Sequence, residues 1–306
     1  MPDPNSIKLY PNIQGDANIQ CILLKVDPIA LQERISRFRN LDVSKMSDQE
    51  LDSNIYDVLC VDGFFAYLCN SGTYRKGTTF FRAKKLKGST IPNERLSTLF
   101  DCWETPSTYL TNYGRLNKPH ESLLYTCPED VNLTIKEARI SPDDYFVVVK
   151  YTAKEDIKVN IIGGDYDYAQ HGISDKNAIT VHEIYNSFLT EEFSRDVAFG
   201  NECQYRISEM IAKHFFDLPP RIAQDAWAYK SVQDKSKYNV CFRPDIAHDL
   251  LQFNGAMVCK LNSEGKISVY CVAYTDQPNG PLQFFPVGSP QQKCLFPELI
   301  PPTHQP

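Results

Sequence analysis

The chain has 306 residues, 42% of them hydrophobic and 12% aromatic, enough apolar material for one large domain or two smaller ones. Its 32 lysines and arginines against 38 aspartates and glutamates leave a net charge of −6, which argues against direct or non-specific nucleic-acid binding. No apolar run follows a basic opening segment, and runs such as Tyr145 to Val149 are too short to span a bilayer, so a cytoplasmic chain with no membrane association is expected.

Residues 1–20 are polar and without clear periodicity. Asp27-Pro28 reads as an N-cap followed by proline at the first helical position, and Leu31, Ile35 and Phe38 then recur on one helical face. Ser47 to Leu68 reads as further helix with Leu51, Ile55, Val58 and Leu59 as its stripe. The expected layout is therefore an N-terminal helical extension over 1–75. Its character changes at Gly72, and Thr78 to Phe81 is rich in strand formers.

Leu110 to Pro119 carries Asn112, Gly114, Asn117 and Pro119 and reads as a loop. Ser122 to Cys127 is expected as a short buried strand. Pro128 to Ile140 is expected as a helix with Glu129 and Asp130 in its first turn. Strands are predicted over Tyr145 to Tyr151 and Ile157 to Ile162, with a turn at Gly163-Gly164-Asp165. Helices follow over Thr180 to Phe193 and Asn201 to Phe216. Ala226 to Ser231 and Tyr238 to Phe242 read as two strands joined by a polar turn. Met257 to Leu261 and Ile267 to Tyr274 read as a hairpin, and the proline-rich tail from Pro286 to Pro306 as extended or frayed. Strands and helices interleave without a βαβ rhythm. The expected class is α+β with a mixed, mostly antiparallel sheet, surrounding helices and the N-terminal helical extension.

The ten cysteines include no C-x-x-C pair, so zinc spacing is absent and buried reduced thiols are the simplest reading. Asp165, Asp167 and His171 could be written as a metal set, but acids beside two glycines more often form turns, and no metal is expected. No glycine-rich nucleotide motif is present.

The residues that could carry chemistry stand beside strands. Arg82 follows Phe80-Phe81, and Arg115 sits in a glycine loop. The planar fork of arginine suits phosphate, and two of them could clamp a pyrophosphate. Tyr125 lies in an apolar strand and could stack on a planar heterocycle. Glu137 lies on a half-apolar helix, where a carboxylate needs a partner or a task. Ser231 and Asn239 flank the turn between two strands. Read singly, each also fits a structural role: a surface cation, a core tyrosine, a turn residue.

Their order resembles the RES domain family. The segments concerned are Phe80-Phe-Arg82-Ala83, Gly114-Arg115-Leu-Asn117-Lys-Pro119, Leu124-Tyr125, Ile135-Lys-Glu137-Ala-Arg139, Tyr229-Lys-Ser231-Val232 and Asn239-Val-Cys-Phe242, with Trp103 and Pro106 upstream of the glycine loop. The resemblance covers about residues 76–250, so the expected division is an extension over 1–75, an NAD-binding catalytic domain over 76–250 and a C-terminal hairpin and tail over 251–306. It departs from the family in its greater length and in Ala83, where a tyrosine is common.

The resemblance implies an ADP-ribosyltransferase-like fold and an enzyme that consumes NAD as substrate, with no further cofactor. It cleaves the nicotinamide–ribose bond by hydrolysis or by phosphorolysis with inorganic phosphate. Arg82, Arg115, Tyr125, Ser231 and Asn239 would bind NAD, with Glu137, Arg82 and Ser231 as the catalytic set. Many members are toxins paired with an Xre-type antitoxin, so such a protein and a second copy of the chain are the expected protein partners. Two other outcomes stay open: transfer of ADP-ribose to a macromolecule, and a non-catalytic NAD-binding module.

Overall fold

The computed structural model describes residues 16–86, 96–169, 171, 173–198, 200–278 and 280–300. The first fifteen residues of the polar opening stretch and the last six of the tail lie outside them. Helix α1 (Asp16–Leu23) is followed by α2 (Pro28–Arg39), which starts where Asp27 accepts from the Ile29 amide at 3.2 Å and buries Leu31, Ile35 and Phe38. Helix α3 (Asp48–Leu59) opens on a reciprocal cap, with Ser47 accepting from the Glu50 amide and Glu50 from the Ser47 amide.

The helix expected to run on to Leu68 stops at Leu59. Residues β1 (Cys60–Val61) and β2 (Phe64–Phe65) instead form a hairpin, with Asp62 and Gly63 both at positive φ. Asp-Gly is the pair that a two-residue hairpin turn requires, and it overrides the apolar stripe around it. Strands β3 (Asn70–Tyr74), β4 (Thr79–Lys85) and β5 (Leu124–Pro128) follow. Helix α4 (Val131–Glu137) is shorter than expected. Asp130 is its N-cap rather than a first-turn acid, accepting from the Leu133 amide at 2.8 Å, and Arg139 at positive φ lies just beyond its end.

The strands β6 (Tyr145–Ala153) and β7 (Ile157–Ile162) lie where expected. Helices α5 (Lys176–Ser194) and α6 (Tyr205–Phe215) follow, then β8 (Ala226–Lys230), β9 (Tyr238–Phe242), the short α7 (Pro244–Leu250) and the hairpin of β10 (Leu251–Leu261) and β11 (Ile267–Tyr274). The tail is not frayed over its described part. It contributes β12 (Gln283–Pro286) and α8 (Pro290–Leu295), the latter capped by Ser289, and Phe296 is fully buried. The fold class is α+β with a mostly antiparallel sheet. Among the described residues no helix is long and apolar enough to cross a membrane.

The chain divides into two compact units, each assembled from three sequence segments rather than from the consecutive blocks expected. The first takes residues 1–74, 106–123 and 157–246. Its strands run in the order β9-β8-β7-β3, with β7 and β8 parallel and the other pairs antiparallel. α2, α3, α5 and α6 belong to this unit. Phe38 meets Phe188 edge to face at 5.6 Å, and Phe65, Tyr67, Phe215 and Phe216 form an aromatic core. The helical N-terminal segment is thus integral to a larger unit.

The second unit takes residues 75–105, 124–156 and 247–306, with the antiparallel order β12-β11-β10-β6-β4-β5. Phe81, Phe146, Val148, Met257, Cys259 and Val272 bury one face of that sheet against Ile135 of α4 and Phe296.

Candidate functional site

The first unit holds Arg115, Ser231 and Asn239. Arg115 is buried, and its guanidinium is already engaged. It donates to the Arg195 carbonyl at 3.0 Å and the Glu192 carbonyl at 3.5 Å, and stands 5.0 Å from the Tyr205 ring centre and 5.8 Å from that of Tyr229. The last carbonyls of α5 have no partner inside their own helix, so a cation placed there is favourable. Ser208 Oγ donates to the Arg115 carbonyl at 2.8 Å. Gly114 and Asn117 close the loop through a backbone bond of 2.9 Å.

In the register of β8 and β9, Tyr229 is paired with Asn239. Directly paired residues share a face, and Ser231 falls two residues beyond Tyr229. Arg115, Ser231 and Asn239 are therefore gathered on one side of this strand pair. Ser231 is wholly buried, and its hydroxyl accepts from the amides of Gln233 and Asp234 at 3.0 and 3.1 Å, which holds the turn between the strands. Asn239 is buried as well.

Arg82, Tyr125 and Glu137 belong to the second unit. Phe81 pairs with Cys127, which puts both on one face, and alternation along β5 puts Tyr125 there too. α4 covers this face. Glu137 is its last residue, not a mid-helix one, and is half-buried. Burial pushes the Cys127 thiol up to about 12, and the negative charges of Glu137 and Asp130 push the same way. Tyr125 and Glu137 thus come to the same side.

Arg82 does not join them. It alternates with Phe81 and faces the opposite side of the sheet, where Phe80 pairs with Tyr151. There its guanidinium donates to Thr105 Oγ1 at 3.0 Å, and its Nε is buried without a partner among the described residues. The same side carries a pair that sequence reasoning missed: His248 Nε2 lies 3.0 Å from Glu104 Oε2, and Trp103 packs on His248 at 4.4 Å and on Tyr151 at 5.0 Å. Burial raises the Glu104 carboxyl, but the hydrogen bond from His248 and the nearby Arg82 charge outweigh it, and the net direction is down. The Pro-Asp-Ile-Ala-His run at α7 was the available signal for this pair.

Asp165, from the metal set set aside above, accepts from Lys230 Nζ at 2.7 Å. Among the described residues, no group of three histidines, cysteines or acids could hold a metal ion. Comparison with protein-family models, with curated proteins and with solved structures finds no match in any of the three.

Proposed function

We propose that the chain is an NAD-cleaving enzyme that breaks the nicotinamide–ribose bond by hydrolysis or phosphorolysis, on a scaffold of ADP-ribosyltransferase type. The ordered resemblance to RES domains supplies the reading. The observation that carries it is the placement of Tyr125 and Glu137 on one face of the second unit, beside Cys127. An aromatic ring on this face and a carboxylate on the helix that covers it suit a nicotinamide and the ribose to which it is attached.

Cleavage builds oxocarbenium character on the ribose while the departing pyridinium becomes neutral. The protein must orient the dinucleotide and stabilise positive charge more than donate a proton. Glu137 supplies the negative charge that stabilises it, and Tyr125 stacks on the nicotinamide. Arg115, bonded to the end of α5, positions the Gly114–Pro119 loop rather than reaching for phosphate. Arg82 faces away from Tyr125 and Glu137, so its pyrophosphate role is the part of the reading that a binding measurement on Arg82→Ala decides. Drainage of a cellular NAD pool would make the chain a toxin or defence effector, held in check by an Xre-type partner.

The test is incubation of the full chain with NAD, with and without phosphate, and mass spectrometry of the products. Free nicotinamide with ADP-ribose identifies hydrolysis, and ADP-ribose bearing an added phosphate identifies phosphorolysis. Label transferred to a macromolecule would replace the reading by ADP-ribosyl transfer. Intact NAD under all conditions would overturn it.

A further inference from the structure

The loop that carries Arg115 rests on α6, and α6 holds a carboxylate that no step above uses. Ser208 on this helix anchors the loop through the Arg115 carbonyl. Its neighbour Glu209 is 1% exposed, and Glu209 Oε1 is shut off from solvent with no hydrogen-bond partner among the described residues. Buried polar atoms are nearly always bonded, and an ionised carboxylate left in such a place carries a heavy desolvation cost.

Four charged or titratable side chains act electrostatically on Glu209: Lys118 and Glu121 from the loop segment, and Lys213 and His214 from its own helix. Three of them are engaged. Glu121 accepts from Lys213 Nζ at 2.5 Å and from the Lys118 amide at 2.9 Å, and His214 Nδ1 lies 2.6 Å from Asp52. The ammonium of Lys118 is exposed and forms no ion pair among the described residues. It sits inside the Gly114–Pro119 loop, three residues from Arg115.

We propose that Glu209 is a proton-operated latch on this loop: neutral, it stays buried and leaves the loop seated on α6, and ionised, it draws the Lys118 ammonium inward and resets the loop. Burial pushes the Glu209 carboxyl up to about 7, and Glu121 adds to that. Lys118, Lys213 and His214 pull the other way, so the two states exchange near neutral pH. If the loop forms part of an NAD site, NAD affinity changes across the same interval. That consequence rests on the proposed function, while the latch does not.

The test is an NMR titration of the uniformly labelled full chain from pH 5.5 to 8.5 without NAD. The Glu209 carboxyl carbon is expected to titrate near 7, and the amides of Gly114, Leu116, Asn117 and Lys118 to shift with the same midpoint. Glu209→Gln should abolish the loop shifts, which ties them to this carboxyl. Lys118→Met, at an exposed position that folding tolerates, should raise the Glu209 midpoint and leave the loop amides still. A carboxyl that titrates in the ordinary range, loop amides that do not move in the wild type, or loop shifts that persist in Glu209→Gln would each overturn the latch. Because NAD is absent, a flat titration leaves the proposed function standing, and a chain that spares NAD leaves the latch standing.

Discussion

The guanidinium of Arg115 stands 5.0 Å over the Tyr205 ring and donates 3.0 Å to the Arg195 carbonyl at the end of α5. A residue that only gripped a ligand could be removed without loss of fold. Arg115 joins three chain segments of the first unit, so Arg115→Ala leaves buried carbonyls unbonded and two rings without their cation. Hydrogen bonds to charged groups are each worth about 1.5–3 kcal/mol. We expect Arg115→Ala to lose about 3 kcal/mol of stability in urea unfolding, and Arg115→Lys to lose less. Wild-type stability in the alanine variant would return Arg115 to the role of a ligand clamp.

Glu137 makes a different prediction. It is half-buried at the last position of α4 and shares a side with Tyr125. If its charge stabilises the cleavage transition state, Glu137→Gln should lower kcat for NAD by about a hundredfold with little change in KM. Turnover equal to that of the wild type would remove Glu137 from the mechanism.

Much of the fold was legible because local chemistry agreed with it. Asp27-Pro28, the strands β6 and β7 and the β10–β11 hairpin all stand where their sequence signals placed them. Two errors have local causes. The Asp62-Gly63 turn interrupts an otherwise helix-like apolar segment, and in the proline-rich tail Pro290 follows a serine cap and starts a helix. The site was less legible for a reason that lies beyond any one segment. Alternation tells which residues of a strand share a face, but strand partners come from far along the chain. Only the Phe81–Cys127 pairing reveals that Arg82 faces away from Tyr125. Glu209 was equally hidden: it lies off the apolar stripe of α6, where a helix covered on one side would show it to solvent.

The Gly163-Gly164 turn after β7 is a position where sequence and structure agree, and it yields a sharp stability test. Both glycines have positive φ, 69° and 97°. A Cβ on Gly163 would meet the Thr190 backbone nitrogen at 2.8 Å and its Cα at 2.9 Å, within α5, where the backbone cannot give way. A Cβ on Gly164 would instead meet the Tyr238 hydroxyl, which can swing aside at the loss of its 3.2 Å bond from the Asp165 amide. Overpacking in a rigid site costs about 1–3 kcal/mol, and the left-handed backbone adds to it. Gly163→Ala should therefore lower thermal stability by more than Gly164→Ala. Equal melting temperatures for the two variants would show that α5 can shift to make room.

The buried Glu209 sets the direction of a pH dependence in stability. Burial disfavours its charge and pushes its carboxyl from the ordinary 4.5 up to about 7. Below the ordinary value both states hold the proton and its contribution is fully present. Between 4.5 and about 7 the folded chain keeps a proton that the unfolded chain has released, so stability falls as pH rises, and above about 7 the loss is complete. The difference amounts to about 3 kcal/mol at most. Glutamine has the shape of the protonated form and cannot ionise. Glu209→Gln should therefore match the wild type near pH 5 and exceed it in urea midpoint at pH 8. A variant whose advantage is the same at both pH values would show that Glu209 is ionised throughout, with its charge balanced by Lys118 and Lys213 in the seated loop.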